Sequence, residues 1–194
     1  MKNLILSMLL LMPLSFITAE DVVSDLTRMS KESIDNVMTM LREKKVDKET
    51  RNKRVIEMVD KAFDFEQMAK LSLGKQYWKQ MNKDQREEFI TLFVKRLKES
   101  YLEKLDLYTD QEVVVQPAKQ VKEDRIEVLT YLVGKDNKRE MNYKFYKSGN
   151  SWLVYDVEIF GVSVVQTYRS QFAGVLKNES IDILLEKMRS LGKL

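Results

Sequence analysis

No histidine and no cysteine occur among the 194 residues. Without an imidazole there is no Ser-His or Cys-His nucleophile pair, no imidazole acid or base, and no His-bearing zinc or iron site. Without a thiol there is no disulfide, no thiol catalyst, no thiolate metal site and no lipidated N-terminal cysteine. Most hydrolase chemistries are removed with these two residue types.

An excess of charge is lacking too. The 33 Lys and Arg are mixed along the chain with 30 Asp and Glu, for a formal charge of +3, which is no counterion-releasing surface for nucleic acid. The six glycines are too scattered to form a phosphate-cradling loop. Glu87 and Glu88 are neighbours on a helix and diverge, so they make no metal-holding carboxylate pair. Proline is nearly absent, no Gly, Ser or Pro-rich linker divides the chain, and no repeat recurs, so residues 20–194 read as a single domain around one core.

A long apolar run occurs once, in "MKNLILSMLLLMPLSFITAE". Lys2 supplies the positive start, Leu4 to Phe16 are almost wholly apolar, and Ala19 is a small residue at which a peptidase can cut. The run is shorter than the roughly 20 residues that span a bilayer. It is expected to be a cleaved export signal over residues 1–19, leaving a soluble, exported chain.

The first half has helical periodicity. Val23, Leu26, Ile34, Val37, Met38 and Leu41 share one helical face, and Val55, Met58, Val59 and Ala62 share another after Asp47, a residue suited to capping. Capping boxes mark further starts at Asp64 with Gln67 and at Asn82 with Gln85, and Gly74 ends the first of these helices. In the long run that follows, Phe89, Leu92, Phe93, Leu97, Tyr101, Leu105 and Tyr108 form a stripe rich in aromatics.

After Asp110 the period becomes two. "EVVVQ", "RIEVLTYLV", "REMNYKFYK" and "SWLVYDVEIF" are β-branched and aromatic runs separated by turn residues, which predicts four antiparallel strands. Alternation puts Met141, Tyr143 and Phe145 on one face, and Leu153, Tyr155, Val157 and Ile159 on one face of the next strand. Gly161 ends the last strand, Ser163 and Gln166 form another capping box, and Val165, Tyr168, Phe172, Val175 and Leu176 make a helical stripe. A last helix starts near Ser180 and stops by Gly192. The class is α+β, with helices packed on the apolar side of an antiparallel sheet.

Polar groups within this frame have plain readings and sharper ones. Arg169 stands at the edge of the last long stripe, as a surface cation or as a contact for an anionic headgroup or a partner. Asp156 is a candidate base for an isomerase or hydratase of the cone-shaped type, as is a pocket tyrosine, but alternation turns Asp156 away from the face that holds Tyr155. Tyr77, Trp78 and Met81 form either an exposed contact patch or a plug at the end of the core. A structural envelope adaptor with a filled core is a third reading.

Three ordered segments, "FDFEQMAKLSLGKQYW", "DQREEFITLF" and "WLVYDVEIFGVSVVQTYRSQF", carry a resemblance to the MlaC family, the periplasmic phospholipid-binding proteins of the Mla pathway, also called the toluene-tolerance auxiliary family. The likeness runs from about Val55 to Met188, with Ser72 and Phe160 where an alanine and a more polar residue are expected. It implies helices on the concave face of a curved antiparallel sheet, enclosing an apolar cavity that holds the acyl chains of a phospholipid. It also implies a monomeric carrier with no catalytic motif and no cofactor beyond its cargo. Such a carrier passes lipid between an outer-membrane lipoprotein complex and an inner-membrane ABC transporter with an MCE domain, and so maintains outer-membrane asymmetry. Its recognisable positions fall here on Phe65, Met68, Trp78, Tyr155, Val157, Val165, Tyr168, Arg169 and Phe172.

Physical chemistry asks the same of a carrier. At about 0.8 kcal/mol per methylene, a diacyl tail of some thirty methylenes left in water costs over about 20 kcal/mol, so the chains must be enclosed. The expected cavity wall is Phe89, Phe93, Leu97 and Tyr101 from one helix, Met141, Tyr143, Phe145, Tyr155 and Val157 from the sheet, and Val165, Tyr168 and Phe172 from a later helix.

Overall fold

The computed structural model describes residues 19–43, 45–101, 111–135 and 138–190. The expected export signal lies outside these except for Ala19, as do Leu105, Tyr108 and Gly192, and only the backbone of Tyr101 is described.

Five helices begin where the caps predict. After α1 (Ala19–Arg42), helix α2 (Lys48–Ala62) starts at Asp47, whose carboxylate accepts from the Thr50 N–H at 2.9 Å. Asp64 does the same for α3 (Phe65–Leu73), accepting from the Gln67 N–H at 2.8 Å. That helix stops at Gly74, whose φ of +86° would strain any side chain. The short α4 (Lys75–Gln80) leads to α5 (Lys83–Tyr101) through a reciprocal box. In it the Gln85 N–H donates to Asn82 Oδ1 at 2.9 Å and the Asn82 N–H donates to Gln85 Oε1 at 3.0 Å. Ser163 caps α6 (Val164–Leu176) at 3.0 Å and Ser180 caps α7 (Ile181–Arg189) at 3.3 Å. Each cap satisfies an otherwise unpaired helix-start N–H, worth about 1 kcal/mol.

The strands are β1 (Glu112–Val115), β2 (Lys119–Lys122), β3 (Arg125–Val133), β4 (Lys138–Ser148), β5 (Ser151–Ile159) and β6 (Val162–Ser163). They form an antiparallel sheet in the order β1-β3-β4-β5-β6, with β2 also paired to β3. The four expected strands are β1, β3, β4 and β5. The sheet is larger because β2 and β6 join its margins, β2 through a wholly exposed stretch with no apolar alternation. Helices α3 and α6 lie against β5, α1 lies against β1 and β3, and α5 packs on α3 and α7.

One register feature decides the sheet's faces. Tyr143 pairs with Val157 but Phe145 pairs with Val154, so Tyr155 is the extra residue of a β-bulge. Beyond the bulge the alternation of β5 is inverted, and Val154 rather than Leu153 joins the buried core. A bulge also bends its strand, which suits a sheet that curves around helices.

Ser72 is fully buried within α3, and its hydroxyl has no hydrogen-bond partner. A buried, unpaired hydroxyl costs about 1–3 kcal/mol of desolvation. Ser72→Ala is therefore expected to raise stability by about 1 kcal/mol, read as a higher urea midpoint with an unchanged slope.

Candidate functional site

The candidate site is the inner side of the sheet and the helices facing it. On β3, Ile126, Val128 and Thr130 are fully buried, and on β4 and β5 Phe145, Val154 and Val157 are buried. Met141, Tyr143 and Ile159 occupy the same inner face but are only half-buried. Burial pushes the Tyr143 phenol up to about 12, so it stays neutral at physiological pH. Ile126, Val128 and Ile159 share this inner face and were absent from the expected set, although strand alternation opposite Phe145, Tyr143 and Met141 signals them.

The helical aromatics do something more compact than line a wall. Phe172 on α6 meets Phe89 at 5.3 Å and Phe93 at 6.4 Å between ring centroids, and Tyr168 meets Phe93 at 5.2 Å. Phe89, Phe93 and Phe172 have no exposed surface, and Leu97, Val165 and Tyr168 are buried with them. The stripes of α5 and α6 thus face each other and fill the space between them with edge-on ring contacts, each worth about 0.5–1.5 kcal/mol beyond area burial. Tyr101 belongs to the same helix, but its side chain lies outside the described residues.

Tyr155 is brought elsewhere. The bulge turns it to the outer face beside Tyr146, with ring centroids 5.9 Å apart, and the Arg125 guanidinium sits over both rings at 5.3 and 5.4 Å. Arg125 is opposite Tyr146, and its neighbour Ile126 points into the core, which fixes this side as the outer one. Polar contacts lie further along that face. Asn142 Nδ2 donates to Glu127 at 3.0 Å, and Lys144 pairs with Glu158.

Asp156 is buried, and both carboxylate oxygens are committed to the start of α6. Oδ1 accepts from the Val165 N–H at 3.1 Å and Oδ2 from the Ser163 hydroxyl at 2.7 Å. This is a helix-anchoring role. Asp156→Ala is expected to cost about 2 kcal/mol, since it strands a buried N–H and loosens a cap, and thermal denaturation will register the loss.

The remaining candidates have plain positions. Arg169 is exposed and makes no ion pair among the described residues; its guanidinium passes over Gly74, where an added Cβ would lie 3.6 Å from Nε. Met81 is buried, the Tyr77 hydroxyl donates to the Leu176 carbonyl at 3.4 Å, and Trp78 meets Phe89 at 6.5 Å, so this trio plugs the core. Glu88 pairs with Arg189, which holds its carboxyl below the usual carboxylate range and ties α5 to α7. Among the described residues no cluster could hold a metal ion, and no helix is long and apolar enough to cross a membrane. A hollow of about 310 Å³ lies between α1 and β1, lined by Lys31, Asp35, Met38, Arg42, Glu112 and the valines 113–115. Its charged lining distinguishes it from the apolar cavity expected.

A solved structure from Ralstonia solanacearum, described as a phospholipid-binding protein in complex with a phospholipid, superimposes with a TM-score of 0.73. It is 23% identical, and the match covers 84% of this chain and 94% of that one. The intermembrane phospholipid transport system binding protein MlaC of Haemophilus influenzae is 25% identical over 118 residues. That match takes in 58% of this chain and 55% of the relative, so the chain spans about half the length of the curated relative it matches. The family model described as MlaC protein matches residues 31–190, from the middle of α1 to the end of α7 and across every element that builds the inner face. By that match, the chain belongs to the MlaC protein family.

Proposed function

We propose that this chain is a periplasmic phospholipid carrier, exported by residues 1–19 and folded over residues 20–194 as one monomeric lipid-binding domain. The observation that carries the reading is the inner face of β4 and β5 in a member of the MlaC family. There Met141 and Ile159 stand half-covered beside the buried Phe145 and Val157. Apolar groups left partly wet on the side that faces the helices are where acyl chains gain most by entering, at about 25 cal/mol per Å² covered. The relatives support the same cargo, since both are described by their phospholipid.

In this reading the sheet residues and Leu97 and Tyr101 contact the chains. The packed rings of Phe89, Phe93, Tyr168 and Phe172, with Val165, form the floor on which they rest. Arg169, exposed at the edge of α6, is the candidate contact for a phosphate headgroup or for a partner. No covalent chemistry is needed, because chains are equally dry in a bilayer and in the protein, and transfer is a near-balanced exchange. The absence of His and Cys is then no handicap. The partners are an outer-membrane lipoprotein complex and an inner-membrane ABC transporter with an MCE domain, and the outcome of the traffic is outer-membrane lipid asymmetry.

Protein purified mildly from the periplasm, extracted in denaturing solvent and analysed by lipid mass spectrometry, is expected to yield close to stoichiometric phospholipid. Protein that is folded and lipid-free under those conditions would sink the reading.

A further inference from the structure

One end of the sheet carries a turn that is costly to keep. Phe160 and Gly161 join β5 to β6, directly beyond the Ile159–Val162 pair. Both lie at positive φ, 54° and 75°, the backbone that a two-residue type I′ hairpin turn requires. Asn-Gly meets that requirement without strain, whereas a bulky aromatic residue in the first position does not. The ring is also wet, since Phe160 and Val162 are each 59% exposed. A strained backbone that displays two apolar side chains to water points to a contact made outside the chain.

The surroundings indicate what is contacted. The Arg139 guanidinium lies over the Phe160 ring at 5.9 Å. At the neighbouring end of β4, Lys135 and Lys138 are exposed, and the Lys138 ammonium sits 3.5 Å above Tyr131. Glu140 is an exposed acid at the same end, and its carbonyl accepts from the Phe160 N–H at 3.1 Å. Just inside the turn, Met141 pairs with Ile159, so this end is the rim of the half-covered inner face. Two side chains on a two-residue turn are too small for a stable protein interface, which takes roughly 800 Å² from each partner. An aromatic and an aliphatic tip with Arg139 over the ring and two exposed lysines at the neighbouring strand end, against one acid, does suit shallow, reversible insertion among anionic headgroups.

We propose that Phe160 and Val162 form a tip that dips into the surface of an anionic lipid bilayer, with Arg139, Lys138 and Lys135 meeting the lipid phosphates. The purpose of this contact, delivery of chains to the adjoining inner face, rests on the carrier reading, but the contact itself can be tested apart from it.

Sucrose-loaded vesicles of phosphatidylethanolamine and phosphatidylglycerol in a 3:1 ratio are sedimented with the full exported chain, alongside vesicles of phosphatidylcholine. The wild type is expected to sediment with the anionic vesicles, and Phe160→Asn and Val162→Ser to reduce the bound fraction at least fivefold. Because Asn suits the turn, Phe160→Asn should keep or raise the melting temperature, so lost binding cannot be assigned to unfolding. Phe160→Trp should give a blue-shifted emission increment, over the background of Trp78 and Trp152, when anionic vesicles are added. The proposal is overturned if the wild type ignores both vesicles, if Phe160→Asn binds like wild type, or if its only defect is capture of a protein partner. Phospholipid content is measured on the same samples. A wild type without phospholipid defeats the carrier reading and leaves the vesicle result to judge the tip, whereas a loaded Phe160→Asn that no longer binds vesicles supports both.

Discussion

Phe172→Ala is expected to cost about 3–5 kcal/mol of stability. The residue is fully buried and touches Phe89, Phe93 and Tyr168 with its ring, so truncation loses transfer energy and leaves a hole among side chains that are themselves locked. A protein of this kind holds about 5–15 kcal/mol in total, and one side chain therefore carries a large share. Urea denaturation checks the value, and Phe172→Leu, which refills part of the space, should lose less than half as much. A charged residue at this position should lower lipid loading of the preparation, but for a reason that must be separated from cargo contact. Loading is therefore read per folded molecule. If folded Phe172→Ala holds wild-type phospholipid, the ring belongs to the floor; if it holds none, the ring belongs to the wall. A loss of less than about 1 kcal/mol would contradict the closed cluster itself.

That ambiguity was present in the sequence. A stripe at spacings of three and four says that one side of α5 is covered, but the covering surface has no signature, and rings look alike whether they meet another ring or an acyl chain. Phe93 meets Tyr168 and Phe172 because α5 and α6, some 70 residues apart in the chain, both lie against α3 or its neighbours, a tertiary fact that no window of sequence contains. Starts of helices were legible for the opposite reason. Asp47, Asp64, Asn82, Ser163 and Ser180 satisfy N–H groups three residues away, so the whole interaction lies within the motif.

The sheet shows the boundary between the two cases. Strand periodicity placed Met141, Tyr143, Phe145 and Val157 on the inner face correctly, because alternation is a property of the backbone. It misplaced Tyr155, because a bulge adds a residue without any change in composition. The sequence hint for such a bulge is weak: "WLVYDVEI" has apolar residues on both parities, which allows either register. The cost of the inversion is small in the fold, since the Tyr155 ring finds Tyr146 and Arg125 on the outer side. For the site it is decisive, as it removes a polar-tipped aromatic from the inner face and puts Val154 there.

Met141→Glu is the substitution with the largest expected effect on cargo: phospholipid recovered per folded protein should fall to under about a tenth of wild type. Met141 is half-buried on the inner face, paired with Ile159 on one side and opposite Thr130 on the other. In the empty protein a carboxylate there keeps access to water, so the fold should lose no more than about 1–2 kcal/mol. Once chains lie against it that water is displaced, and a stranded charge costs several kcal/mol, where every 1.4 kcal/mol is a factor of about ten in binding. Met141→Leu, similar in volume and still apolar, should load normally. Tyr155→Ser supplies the complementary control, because its side chain lies across the sheet, and it should also load normally. Lipid mass spectrometry on folded, monodisperse samples reads all three. Equal loading in Met141→Glu and wild type would mean that the half-covered face of β4 is not where the chains lie, whereas loss in Tyr155→Ser alone would move the site to the opposite face of the sheet.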